Sequence, residues 1–201
     1  MTLGVRAARL LASLDCCRIE PGLTDAEFDR IEAQYDIEFA DDHRAFLATG
    51  LPVESPHEEG QTWKHPWPDW RNGDPAALRA HIDWETDYVI DLVRDGYWEP
   101  RWGNRPVTPH DAVGAFRRRL RTAAPMVPIY AHRYLPGGHG TSGRPVLSMR
   151  GFDIIYYGRD LLNYIVREFA EPLSGAWPPP RIAFWATTSK TSRDRDGPPG
   201  G

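Results

Sequence analysis

Apolar residues recur at helical spacing through the first third of the chain. An opening helix is predicted to carry Leu10, Leu11 and Leu14. A second helix begins at Thr24, which can cap it while Glu27 completes a capping box. Its buried face is predicted to carry Phe28, Ile31 and Tyr35. A short third helix runs through Phe46 and Leu47 and ends before Gly50 and Pro52, so the N-terminal third is predicted to be helical.

The later part of the chain has the pattern of strands joined by short turns. Tyr88–Val93, the turn dipeptide Asp95-Gly96 and Tyr97-Trp98 together predict a hairpin. Three further extended segments are predicted over residues 127–135, 145–149 and 153–157. Because their separators are short, these segments are expected to be antiparallel neighbours.

Helix-start signals separate these extended segments. Asp74-Pro75 predicts a brief helix, and Thr108-Pro109 begins another. Asp160 is expected to cap a last helix, which would cover the sheet. The order of elements predicts an α+β fold, with N-terminal helices followed by a mainly antiparallel sheet flanked by helices. The predicted organisation is an N-terminal helix and linker (1–22), a main domain (23–187) and a disordered tail (188–201).

The composition argues against nucleic acid and a membrane as partners and favours the cytoplasm as compartment. The chain has 24 basic and 28 acidic residues, a formal charge of -4, which argues against nucleic acid as the main ligand. One basic run, Arg117–Arg121, lies on the polar side of a predicted helix and is interpreted as a solvated face. No apolar stretch approaches the length of a membrane span. Cys16 and Cys17 are adjacent and unsuited to an ordinary disulfide, so a cytoplasmic protein is expected.

Motifs of known chemistry do not occur in this sequence. It lacks the phosphate-binding glycine loops, the paired histidines of zinc proteases and the nucleophile elbow of hydrolases. The glycine run at 137–140 is interpreted as a turn between strands. No cofactor, metal or catalytic residue is therefore predicted. The enzyme alternative would place a polar site at His132, Arg133 and Asp153.

Eight tryptophans are the most unusual feature of the composition. Four of them are predicted to lie in the core: Trp84, Trp98, Trp102 and Trp185. Trp63, Trp67 and Trp70 lie in a proline-rich connection, where they either cover the core or contact a partner. The sequence leaves both interpretations open.

Three aspartates recur every four residues. Asp87, Asp91 and Asp95 share one face whether the segment is a helix or a strand, so an acidic stripe on the solvent side is predicted. The stripe serves solubility or forms a docking surface for a basic partner.

Several blocks of the sequence resemble the SUKH superfamily, which includes the fungal Smi/Knr regulators and many bacterial immunity proteins. The first is residues 23–50, although Ala40 stands where the pattern has proline. The second is Trp102-Gly103-Asn104-Arg105-Pro106, which is similar to a W-G-x-R-P signature. The third comprises Val127–Pro136, Pro145–Ser148 and Asp153–Gly158.

The resemblance implies an α+β fold with a twisted sheet, no cofactor and no catalytic residues. It implies a protein that binds and neutralises a polymorphic toxin. A basic nuclease-type toxin would fit the acidic stripe, with the tryptophan loop as a second contact. A regulatory or scaffold protein without a toxin partner is the alternative within the same family.

Overall fold

The computed structural model describes residues 1–56, 63–150 and 153–170. Its helices are α1 (Leu3–Ser13), α2 (Asp25–Tyr35), α3 (Asp41–Thr49), α4 (Pro75–Arg94), α5 (Pro109–Leu120) and α6 (Leu161–Ile165), with a 3-10 turn at Pro100–Trp102 and a π-helical turn at Val166–Ala170. Its strands are β1 (Arg18–Glu20), β2 (Leu51–Glu54), β3 (Met126–Tyr130), β4 (Arg133–Pro136), β5 (Val146–Arg150) and β6 (Asp153–Gly158). The predicted α+β class is confirmed.

The strands form two antiparallel sheets. β1 pairs with β2, and β3 to β6 form a four-stranded meander in sequence order. Residues 127–135, predicted as one extended segment, turn back at Ala131, which has a φ of 46°. Its N–H donates to the Pro66 carbonyl at 2.7 Å and its carbonyl accepts from His81 Nε2 at 2.7 Å. These long-range bonds hold a turn at a position where the local sequence offers no turn residue.

The predicted hairpin over residues 88–98 is wrong. The segment begins as predicted, with Asp74 capping the backbone of Ala77 at 2.8 Å, but the helix continues for 20 residues to Arg94. Its buried positions recur every three or four residues: Leu78, His81, Glu85, Val89, Ile90 and Val93. The strand-forming residues of this segment serve to pack the helix: Val89 and Val93 are buried in a small cluster with Trp102 and with Phe116 of α5. Burial against a neighbouring helix overrides their weak preference for strands.

The main core joins the helices to the larger sheet. The capping box predicted at Thr24 and Glu27 is present and begins α2. α1 packs on α3 so closely that a Cβ added to Gly4 would lie 1.9 Å from the carbonyl oxygen of Asp42. α1 also buries Ala7 and Leu11 in the same cluster as α2 and α6, so α1 shares one core with residues on the other side of the boundary predicted at residue 22.

The remaining expectations concern the chain ends and the membrane. Among the described residues, none of the helices combines the length and apolar character needed to cross a bilayer. The predicted disordered tail (188–201), the domain end at 187 and Trp185 lie outside the described residues.

Candidate protein-binding surface

Two of the three loop tryptophans belong to the core. Trp67 and Trp70 are each 2% exposed. The Trp70 ring meets the edge of Phe39, with ring centroids 5.4 Å apart. Trp67 stacks on Phe169 at 5.4 Å and its indole N–H donates to Ser55 Oγ at 2.7 Å. The interpretation of these two residues as partner contacts is therefore corrected: they cover the core, as the alternative had it.

Trp63 and Trp84, unlike Trp67 and Trp70, are not fully buried. Trp84, predicted to be buried, is 56% exposed on the outer side of α4. Trp63 is half-buried, 4.6 Å from the His81 ring and 5.9 Å from the Trp84 ring. Of the other tryptophans predicted in the core, Trp102 is buried and Trp98 is half-buried. Trp84 was misplaced because the strand interpretation of its neighbours hid the helical spacing that turns it outward.

The three aspartates lie on one exposed face of α4 and its end. Helical spacing places Trp84 and Tyr88 in the same row, and Tyr88 is 51% exposed. We call the row the α4 outer face, comprising Trp84, Asp87, Tyr88, Asp91 and Asp95. Arg94 forms an ion pair with Asp91, so the positive charge nearest the row is already engaged. The prediction that the aspartates face solvent is correct, although they do so on a helix.

A groove opens where α4 meets the β3–β4 turn. It has a volume of about 670 Å³ and is lined by Trp63, Lys64, Trp84, Glu85, Tyr88, His132 and Arg150. We call it the Trp63–Trp84 groove. Burial and the nearby Arg133 and Arg150 lower the pKa of His132 to about 4, so the ring is neutral at pH 7. Glu85 is only 3% exposed, whereas Lys64 and Arg150 are exposed.

The three residues of the enzyme alternative, His132, Arg133 and Asp153, do not form one site. His132 lines the groove, but Arg133 is 8% exposed and its Nη1 donates to Ser148 Oγ at 2.9 Å. The Arg133 guanidinium lies 3.8 Å from the centre of the Tyr157 ring and 3.4 Å from a Glu168 carboxylate oxygen. Asp153 is exposed at the start of β6. The Arg133 guanidinium is thus engaged in a buried cluster with Ser148, Tyr157 and Glu168 and is not among the residues that line the groove with His132.

The glycine-rich turn between β4 and β5 is occupied by carboxylates of the chain itself. The N–H of Gly140 donates to Asp41 and that of Gly143 to Asp42, both at 2.9 Å. His139 Nε2 lies 3.0 Å from Glu32, which raises the pKa of His139. The turn interpretation is confirmed, and the N–H groups that a phosphate would need already have partners. Within the part of the chain that the structure describes, no cluster of three metal-ligating side chains occurs.

The cysteines and the basic run have the surroundings that the sequence predicts. Cys16 and Cys17 are free and half-buried, and burial raises the pKa of Cys17 to about 12. Such a thiol is a poor nucleophile. In the basic run, Arg119 donates to the Trp102 carbonyl and the other arginines are exposed on α5.

Comparisons with known proteins add no relative. No protein-family model matches the chain, and searches of curated proteins and of solved structures return no significant match. The SUKH resemblance therefore stays a prediction that rests on the sequence blocks.

Sequence reasoning missed the exposed aromatic pair on α4 and the groove beside it. The i, i+4 spacing of Trp84 and Tyr88 was available as a signal, but it has meaning only if the segment is a helix. The third wall of the groove, Trp63, could not have been found from the sequence, because the His81 contact that positions it spans 18 residues of chain.

Proposed function

We propose that this protein is a non-enzymatic, cytoplasmic protein-binding module of the SUKH type, which binds and neutralises a basic, nuclease-type toxin through the α4 outer face. The observation that supports it is the exposure of Trp84 (56%) and Tyr88 (51%) in one row with three aspartates. Large aromatic rings are costly to leave in water and are enriched among the residues that dominate protein interfaces.

The negative charge of the α4 outer face favours a positively charged partner. Asp87, Asp91 and Asp95 place three carboxylates within about two and a half turns at the end of α4. Among the described residues, only Asp91 has a cation, Arg94, in ion-pair contact. Such a face attracts a positively charged surface and speeds its association. A nuclease that binds nucleic acid needs a basic surface of this kind.

The cytosol is the proposed compartment. Both cysteines are free thiols, and a disulfide-rich framework is not needed because the helices and the larger sheet share an extensive apolar core.

The test compares two triple variants in direct binding to the toxin domains encoded beside the gene. Asp87→Asn, Asp91→Asn and Asp95→Asn together remove the stripe. The matched control, Asp15→Asn, Asp29→Asn and Asp36→Asn, removes three exposed carboxylates elsewhere. Asn suits residues 15 and 36, whose φ angles of 50° and 52° are in the left-handed region that Asn tolerates.

The stripe variant is expected to bind at least about tenfold more weakly, mainly through slower association and with a smaller dependence on salt. The control is expected to bind within about twofold of the native chain. Equal binding by both triple variants would sink the proposal. If no co-encoded toxin domain binds the native chain, the regulatory or scaffold alternative takes its place, and its partner is sought by affinity capture with the full chain.

A further inference from the structure

The Trp63–Trp84 groove has aromatic walls. Trp63 is backed by His81, whose ring centroid lies 4.6 Å from its own, and His81 is fixed in turn by its bond to the Ala131 carbonyl. Trp84 meets Trp63 at 5.9 Å with the ring planes 61° apart. Tyr88 follows one turn later on α4 and also lines the groove. A planar ligand therefore finds the Trp63 ring packed against His81, with the exposed rings of Trp84 and Tyr88 beside it.

The exposed charged side chains in the described lining of the groove are positive. Lys64 and Arg150 both line it, and among the described residues neither has a carboxylate within ion-pair distance. Asp153 is the cross-strand neighbour of Arg150 but does not form an ion pair with it. Among the described residues that line the groove, the carboxylate is that of Glu85, which is 3% exposed, so the accessible charge of this described lining is that of the two cations.

A ligand that fits this arrangement carries a planar ring and an anionic group. Stacking of a nucleic-acid base on an aromatic side chain contributes about 1–3 kcal/mol. Lys and Arg are the side chains that bind phosphate oxygens most strongly. The groove volume of about 670 Å³ lies within the range of small-molecule sites, roughly 300–1,000 Å³.

The adjoining charge limits the length of such a ligand. Asp87 and Asp91 continue along α4 beyond the groove. A nucleic-acid strand leaving the groove in that direction would bring its phosphates against these carboxylates, at an unfavourable like-charge energy. A mononucleotide avoids this contact.

We propose that the Trp63–Trp84 groove is a binding site for a mononucleotide, with the base against Trp63 and Trp84 and the phosphate between Lys64 and Arg150. This site binds an anionic ligand through Lys64 and Arg150, whereas the α4 outer face is proposed to bind a basic protein through its aspartates. Trp84 and Tyr88 belong to both. Occupation of the groove by a nucleotide would thus compete with a protein that covers these two rings.

The test is a calorimetric titration of the full chain with AMP, with adenosine and inorganic phosphate as partial ligands. AMP is expected to bind saturably at a 1:1 ratio and at least about tenfold more tightly than adenosine, because the charge-assisted bonds to phosphate are lost in adenosine. In a two-dimensional amide NMR spectrum, the indole N–H signals of Trp63 and Trp84 should shift, whereas those of buried Trp67 and Trp70 should not.

Variants assign the binding to this groove. Lys64→Glu combined with Arg150→Glu should weaken AMP binding at least about tenfold, and Trp84→Ala should do so about fivefold or more. The matched control is Arg118→Glu combined with Arg121→Glu, which makes the same charge change on exposed positions of α5 and should leave AMP binding within twofold. Folding of each variant is checked by circular dichroism.

Absence of saturable AMP binding up to several millimolar would overturn the proposal, as would equal weakening by the control pair. Adenosine binding as tightly as AMP, or an eight-nucleotide DNA strand binding more tightly than AMP, would also overturn it. None of these outcomes bears on the toxin proposal, which is tested by direct toxin binding of the Asp87, Asp91 and Asp95 variant. Conversely, the triple Asn variant of those residues should retain AMP binding.

Discussion

The main core and the α4–α5 pair use the same residue type in opposite ways. In the main core, Trp67 and Trp70 fill space between helices and sheet at 2% exposure. On α4, Trp84 is 56% exposed, and its contact with Trp63 covers only part of the ring. The difference is one of position, because Trp67 and Trp70 lie within the main core whereas the α4 outer face points away from it. An exposed tryptophan beside a well-packed core is a better sign of binding than the number of tryptophans in the chain.

The two regions also differ in the space around a glycine of one of their helices. α1 meets α3 at Gly4, where no side chain fits, whereas Gly114 of α5 has only the tip of Arg118 within 3.6 Å of an added Cβ. Substitution is therefore expected to be tolerated poorly at Gly4 of the main core and well at Gly114 of the α4–α5 pair. Four predictions follow this contrast from the largest expected effect to the smallest.

Trp67→Ala should lower the free energy of unfolding by about 3–5 kcal/mol, because it leaves a cavity among Phe169, Tyr130 and the loop. Trp84→Ala, the matched change on α4, should alter it by about 0.5 kcal/mol or less, since that ring is mostly in water. Urea unfolding followed by circular dichroism measures both. Similar losses in the two variants would show that the contrast between the regions is false.

Gly4→Ala should destabilise the protein by about 2–3 kcal/mol, because its Cβ would overlap the Asp42 carbonyl and push α1 away from α3. Gly114→Ala should instead stabilise it by about 0.5–1 kcal/mol, since alanine is the better helix former and has room. The same urea experiment separates the two signs. A neutral Gly4→Ala variant would mean that α1 can shift without loss.

Arg71→Met should remove about 1–2 kcal/mol of stability at pH 7 and flatten the response to acid. Hydrogen bonds from Arg71 and from the Thr24 backbone lower the pKa of Glu27 from 4.5 to about 2. A carboxylate with a lowered pKa stabilises the fold above its unfolded value, and this contribution is lost as the pH falls from about 4.5 towards 2. Unfolding free energies measured at several pH values between 5 and 2 test this. In the Arg71→Met variant the decline should be smaller. A parallel decline in both proteins would assign the acid sensitivity to other groups.

The triple variant Asp87→Asn, Asp91→Asn and Asp95→Asn should change stability by about 0.5 kcal/mol or less, although it is expected to weaken partner binding strongly. Among the described residues, the ion pair that the triple variant removes is the helical one between Asp91 and Arg94, and exposed pairs of this kind contribute little. Thermal unfolding at low and moderate salt measures the effect. A loss above about 1 kcal/mol would indicate that the row supports the fold rather than a partner.

Local signals predicted the helix starts and the later strands well. The caps at Thr24, Asp74, Thr108 and Asp160 each accept the expected backbone N–H. Capping and short turns involve neighbours within a few residues, so the sequence contains all the information they need. The hairpin prediction over 88–98 failed because the β-branched residues of α4 pack against α5. No local sequence pattern reveals that contact.

The candidate site was predicted only in part for the same reason. The solvent exposure of Asp87, Asp91 and Asp95 was predictable, since a period of four keeps them on one side of either element. The exposure of Trp84 and the burial of Trp67 and Trp70 were not, because each depends on where a distant segment lies.

By itself, the sequence determined the α+β class, the caps, the antiparallel order of the last strands and the acidic stripe, because these depend on spacing and on near neighbours. Only the tertiary structure decided which tryptophans are buried, where β3 turns into β4 and that Trp63 and Trp84 line one groove with Lys64 and Arg150. Those outcomes depend on contacts between residues far apart in the chain, such as Ala131 with Pro66 and His81. The physical reason is that burial and long-range hydrogen bonds outweigh local conformational preferences wherever the two disagree.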